Sequence, residues 1–146
     1  VSALIDPGSQ ERVDEWVEEA VSAGARRLGD GVPTVLAGVP GGARAWDEEV
    51  FGPVVCVRSV PDVEAAFDAV NASRYGLHAS VFTRSLATAF RAIDRLEVGG
   101  VVVNEVPGFR SDTMPYGGVK DSGIGREGPR FAVEELTVTR MAVIRP

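Results

Sequence analysis

A chain of 146 residues with an apolar fraction of 45% is long enough to fill one hydrophobic core, as a domain or as a piece of a larger one. A net charge of -6 without any basic block argues against nucleic acid as a partner. One Cys and one His are too few for a disulfide framework or a transition-metal site, and no apolar run approaches the ~20 residues of a membrane span. Val1–Leu4 lacks the basic region and apolar core of a secretory signal, so the expected setting is cytoplasmic, reducing and away from membranes.

Asp6-Pro7-Gly8 is turn chemistry, and Ser9 is placed to cap a helix running to about Ala23. Val13, Trp16, Val17, Ala20 and Val21 give that helix one apolar face, and Gly24 suits a left-handed stop. Full burial of Trp16 would contribute about 2–3 kcal/mol. Arg26 to Gly31 reads as a polar connection, Thr34-Val35-Leu36 as a weak strand, and Val39 to Gly42 as a turn. Ala43 to Val50 leads into a strand over Val54–Val60, then a helix over 61–72 with Pro61 in its first turn and Val63, Ala66, Phe67 and Val70 inward. A strand over Ala79–Thr83 follows, then a helix capped by Ser85 with Leu86, Ala89, Phe90, Ile93 and Leu96 on one face. Gly99-Gly100 ends it before a strand at Val101–Asn104. This spacing predicts parallel strands in a βαβαβ run, and the unbroken valines predict a last strand covered on both faces. Glu105 to Gly128 is a loop at the carboxyl end of that strand, where α/β proteins place sites. A helix over Pro129–Leu136 and a strand over Thr137–Ile144 complete the chain.

Four stretches carry candidate chemistry. In Glu48-Glu49-Val50-Phe51-Gly52-Pro53, alternation along an extended segment lets Glu49 and Phe51 reach the same side. A carboxylate beside an aromatic plate suits a sugar attached to a flat ring; the alternative is a solvated acidic turn. Gly123-Ile124-Gly125-Arg126-Glu127-Gly128 has the spacing of a pyrophosphate-binding loop, but it follows a long loop instead of a strand and reads as a packing turn before a helix. Cys56, inside a valine-rich strand, reads as a small core hydrophobe. Arg110 offers a two-pronged grip on a carboxylate or phosphate, or else forms a surface ion pair with Asp112 or stays solvated.

Taken together, Glu48 to Val54, Asn71 to Leu77 (NASRYGL), Val81 to Arg84, Val102-Val103-Asn104 and Pro115 to Gly128 (PYGGVKDSGIGREG) resemble, in that order, the C-terminal part of the NAD(P)-dependent aldehyde dehydrogenase superfamily. The resemblance runs from Leu4 onward. It implies an α/β catalytic domain, oxidation of a small-molecule aldehyde to an acid by a cysteine nucleophile and a glutamate-activated water, and NAD or NADP as cofactor. Glu49 would hold the nicotinamide ribose and Phe51 would pack by the nicotinamide; Tyr116 would form a wall of the substrate tunnel. The loop from Asn104 to Met114 resembles members acting on small hydroxylated or anionic aldehydes, which adds weight to Arg110. The nucleophile, the base and the dinucleotide-binding domain match positions before Val1, so no catalytic residue is assigned here and the chain alone is expected to be inactive. The Leu28–Pro33 connection is short for the family, and a shortened or lost first strand is expected. Residues 1–136 are thus read as a partial catalytic domain and 137–146 as a strand that pairs subunits in a homo-oligomer. The alternative is a non-catalytic relative that only associates with other subunits.

Overall fold

In the computed structural model, which describes residues 4–146, Asp6 and not Ser9 caps the first helix, α1 (Pro7–Ser22). The Asp6 carboxylate accepts the Ser9 N–H at 2.7 Å, and Pro7 occupies the first turn, where its missing N–H leaves no bond unmade. The chain is α/β and divides into two units, Val1–Pro61 and Asp62–Pro146.

In the first unit α1 buries Val13, Val17 and Ala20. Trp16 is only half buried, its ring flanked by the guanidinium groups of Arg12 and Arg44 at 5.4 and 5.2 Å, so it realises only part of the expected burial. The connection after Gly24 does form a strand, β1 (Arg26–Leu28), shortened to three residues and antiparallel to β2 (Thr34–Ala37). β2 is the central strand: it pairs in parallel with β3 (Val54–Val57), and its Leu36 is fully buried, worth about 1.5–3 kcal/mol. A short helix, α2 (Arg44–Asp47), occupies what the sequence marked only as a lead-in, and its Ala45 joins Val13, Val17, Leu36 and Val39 in one core. β3 alternates, with Val54 and Cys56 packed on that core and Val55 and Val57 exposed, and it stops at Val57.

The second unit opens on α3 (Val63–Asn71). Its cap is Asp62, whose carboxylate accepts the Ala65 N–H at 2.8 Å, leaving Pro61 outside the helix. β4 (Tyr75–Gly76) and β5 (His78–Val81) follow, then α4 (Leu86–Arg95), capped by Ser85 as expected, then β6 (Gly100–Val103). β5 and β6 pair in parallel from His78 opposite Gly100 to Val81 opposite Val103, making a βαβ unit around α4. The expected βαβαβ run is therefore divided: β3 ladders with β2, and β5 with β6. β6 is half exposed along its length, so its valines are not covered on both faces. α4 turns Ala89, Ala92 and Leu96 inward, while Leu86, Phe90 and Ile93 stay exposed, narrowing the expected apolar face to its small-residue side. Phe67 of α3 is buried in the same cluster.

β7 (Val119–Lys120), antiparallel to β4, and α5 (Pro129–Leu136) lie in the last third. The stretch Thr137–Ile144, expected as a strand, joins no ladder among the described residues, and Val138, Met141 and Ile144 are almost fully exposed. A strand is defined by its neighbour, and the described chain provides none here. No helix among the described residues is long and apolar enough to cross a membrane, and no group of His, Cys, Asp and Glu among them is arranged to hold a metal ion.

Candidate functional site

The predicted site residues fall into two groups, Glu49 and Phe51 in the first unit and Arg110 and Tyr116 in the second.

The first group is held from beneath by α1. Arg12 donates one guanidinium N–H to the Val50 carbonyl at 2.5 Å and another to the Phe51 carbonyl at 3.4 Å. Val50 packs on the core while Glu49 and Phe51 face solvent, Phe51 being 77% exposed. Gly52 makes the turn possible, since a Cβ there would stand 2.6 Å from a methyl of Val13, itself buried. Phe51 has a φ of +49, in the left-handed region, so the segment is not the uniform strand on which a shared face for Glu49 and Phe51 was argued. Both side chains nonetheless project outward. Glu49 forms no hydrogen bond or ion pair among the described residues, so both its oxygens can accept hydroxyls.

Cys56 sits one strand further on, its thiol donating to the Ala45 carbonyl at 3.2 Å. Burial pushes that thiol up, with Arg58 pulling more weakly the other way. A core role, as expected, fits better than a nucleophile, which needs its thiolate.

The second group is built on β5. Three side chains fasten the end of that strand to the loop after β6, Asn104 from the loop side and Ser80 and His78 from β5. Asn104, at a φ of +59, accepts the Thr83 N–H through its amide oxygen at 2.7 Å and donates back to the Thr83 carbonyl at 2.9 Å. The Ser80 hydroxyl donates to the Glu105 carbonyl. His78 bonds the Pro107 carbonyl through Nδ1 at 3.0 Å, and since a carbonyl only accepts, Nδ1 carries the proton. The His78 ring meets Tyr116 edge-on, with centroids 4.8 Å apart.

Above Tyr116 lies Arg110, its guanidinium carbon 4.2 Å from the ring centroid. The ion-pair partner of Arg110 is Glu127, not Asp112. Glu127 is itself fixed to Tyr116: Tyr116 N–H donates to the Glu127 carbonyl at 3.1 Å, and Glu127 N–H to the Tyr116 carbonyl at 2.6 Å. Beside them a cleft of about 320 Å³ is lined by Leu77, Tyr116, Arg126, Glu127 and Glu135 together with the glycine-rich turn. That turn packs as expected before α5, with Gly128 as its cap residue and the Arg126 N–H donating to the Glu135 carboxylate at 3.2 Å. At Gly125, with a φ of +80, a Cβ would come within 2.9 Å of that carboxylate. The sequence reading assigned no role to Arg12, His78 or Glu127. The only signal for Glu127 was its place in the glycine motif, and nothing local marked Arg12, whose contact to Val50 spans 38 residues.

Residues 1–142 match the aldehyde dehydrogenase family. A 3-sulfolactaldehyde dehydrogenase of Priestia aryabhattai is 45% identical over 151 aligned positions, covering 99% of this chain and 32% of that protein. Aldehyde dehydrogenase 21 of Physcomitrella patens, solved with the reaction product succinate, superposes with a TM-score of 0.86 at 40% identity, over 90% of this chain and 29% of that one. The glyceraldehyde-3-phosphate dehydrogenase of Methanocaldococcus jannaschii, solved with NADP, gives a TM-score of 0.84 at 37% identity, over 90% and 29%. The chain thus spans about a third of the length of the curated relatives it matches.

Proposed function

The chain belongs to the aldehyde dehydrogenase family, and from that premise we propose that it is the C-terminal portion of an NAD(P)-dependent enzyme oxidising a small anionic aldehyde to its acid. The observation that carries the proposal is the outward pair Glu49 and Phe51 on a turn clamped by Arg12, a carboxylate without an internal partner beside an exposed aromatic ring. These residues fit a nicotinamide ribose: Glu49 accepts its hydroxyls, and Phe51 offers a flat apolar face beside it. The cofactor, when bound, supplies the hydride acceptor. Tyr116 forms a wall for the substrate, and Arg110, lying on the Tyr116 ring, holds its acidic group. The nucleophile and base come from outside these residues, so the isolated chain is inactive.

Support for an anionic substrate comes from Arg110 and from three of the relatives, whose names carry a sulfonate, a dicarboxylate product and a phosphate ester. The test is Arg110→Ala in the full-length gene product, assayed with a sulfonated and a neutral three-carbon aldehyde. Loss of a charge-assisted contact, about 1.5–3 kcal/mol, lowers kcat/KM for the anion roughly 10- to 150-fold. The neutral substrate should change by less than about two-fold, since no such contact is lost. Equal losses for both substrates, or no cofactor reduction by the wild type, would overturn the reading.

A further inference from the structure

Arg110 is not free to greet an anion, because it already has one. Its ion pair with Glu127 is not a chance meeting of two long side chains. The Glu127 backbone is locked to Tyr116 by a reciprocal pair of hydrogen bonds, and Arg110 lies flat on the same Tyr116 ring. Both partners are thus positioned from one residue, and part of the entropy that normally weakens an exposed pair is already spent. Glu127 uses one of the five N–H donors of the guanidinium, and its exposed carboxylate stands beside any acidic group that comes to Arg110.

Resting on the reading of Arg110 as the substrate's anion clamp, we propose that Glu127 is a built-in competitor that sets how strong an anion must be to win Arg110. A weak acid group has to displace or repel the Glu127 carboxylate. A sulfonate, phosphate or dicarboxylate, bearing more acceptor oxygens or charge, can share the guanidinium fork with it. Glu127 is in this sense a specificity-determining residue that never touches the aldehyde.

The experiment measures binding of propane-1-sulfonate and of propionate to the full-length gene product by isothermal titration calorimetry. In Glu127→Gln, which keeps the shape and removes the charge, both anions bind more tightly, propionate by about five-fold and the sulfonate by about two-fold, the range an exposed pair supports. Asp112→Asn removes a charge two residues from Arg110 and serves as the control, with a smaller change than Glu127→Gln for both anions. The gain disappears in the double variant with Arg110→Met. Should Glu127→Gln melt early, Glu127→Asp keeps the charge but withdraws it by a methylene, and it shifts affinity in the same direction. Arg110-dependent binding that Glu127→Gln leaves unchanged or weakens would overturn the competitor role and leave the clamp standing. Binding indifferent to Arg110→Met, or absent throughout, would overturn both. The dehydrogenase reading is judged separately, by cofactor reduction in the full-length product.

Discussion

Glu48 and Glu49 are chemically identical neighbours, yet they sit in different surroundings: Glu48 is half buried and already engaged, while Glu49 is exposed and has no internal partner. Glu49→Gln in the full-length enzyme should therefore cost about 1–3 kcal/mol in cofactor affinity or hydride transfer. Glu48→Gln should show its effect in the melting temperature instead, and cofactor titrations beside thermal melts separate the two. Another carboxylate, Glu19, makes a pH prediction. The Arg44 backbone N–H and then its guanidinium bond this carboxylate and hold it below its ordinary value of 4.5. A lowered folded value gives stability that is complete above pH 4.5 and lost as the pH falls through the folded value. Melting curves on acidification should therefore drop more steeply for the wild type than for Glu19→Gln. At this scale the sequence singled out Glu49 beside Phe51, which are exposed, and Arg110 in a polar loop, which is paired with Glu127. It could not disclose Arg12, His78 or Glu127, because each works through a contact that only the folded chain creates.

Asn104 shows what an element needs at its end. β6 stops at Val103, and the Asn104 amide then copies a ladder pair, bonding both the N–H and the carbonyl of Thr83. Its left-handed backbone suits Asn better than most residues. Asn104→Ala loses both bonds and keeps the strain, so about 1–3 kcal/mol of stability should go. Asn104→Gly relieves the strain but still loses the bonds; thermal melts should place it between Ala and wild type, and faster exchange of the Thr83 amide should mark both variants. Helix limits were legible in the last half of the chain: α5 runs over the predicted residues, and Ser85 caps α4. Misplaced were the features decided by a partner. Asp6 outcompetes Ser9 as the cap of α1 because the Pro7 that follows it suits the first turn. β3 matched the expected period yet pairs with β2, and pairing cannot be read from alternation alone.

At the scale of the molecule, the stretch where the sequence expected a joining strand is apolar and uncovered: Val138, Met141, Val143 and Ile144 are each at least 74% exposed, with Arg140 the single charge among them. Such a row, β-prone and without a ladder of its own, offers itself to another chain. Light scattering should find a dimer or larger species of the 146-residue chain, and truncation after Glu135 should return it to a monomer; a monomer in both would remove the association. That outcome would also strip support from a purely associating relative, the one reading that needs this strand and not Glu49. The tethers from β5 to the loop after β6 have a consequence for descent. They end at Pro107, and the chain is fastened again at Tyr116, so the stretch between is bracketed by two anchored ends. Residues 108–115, Arg110 among them, can be exchanged by recombination or mutation while the scaffold at either end holds its place. Sequence change can therefore collect in this stretch while the pairing of β5 with β6 stays as it is.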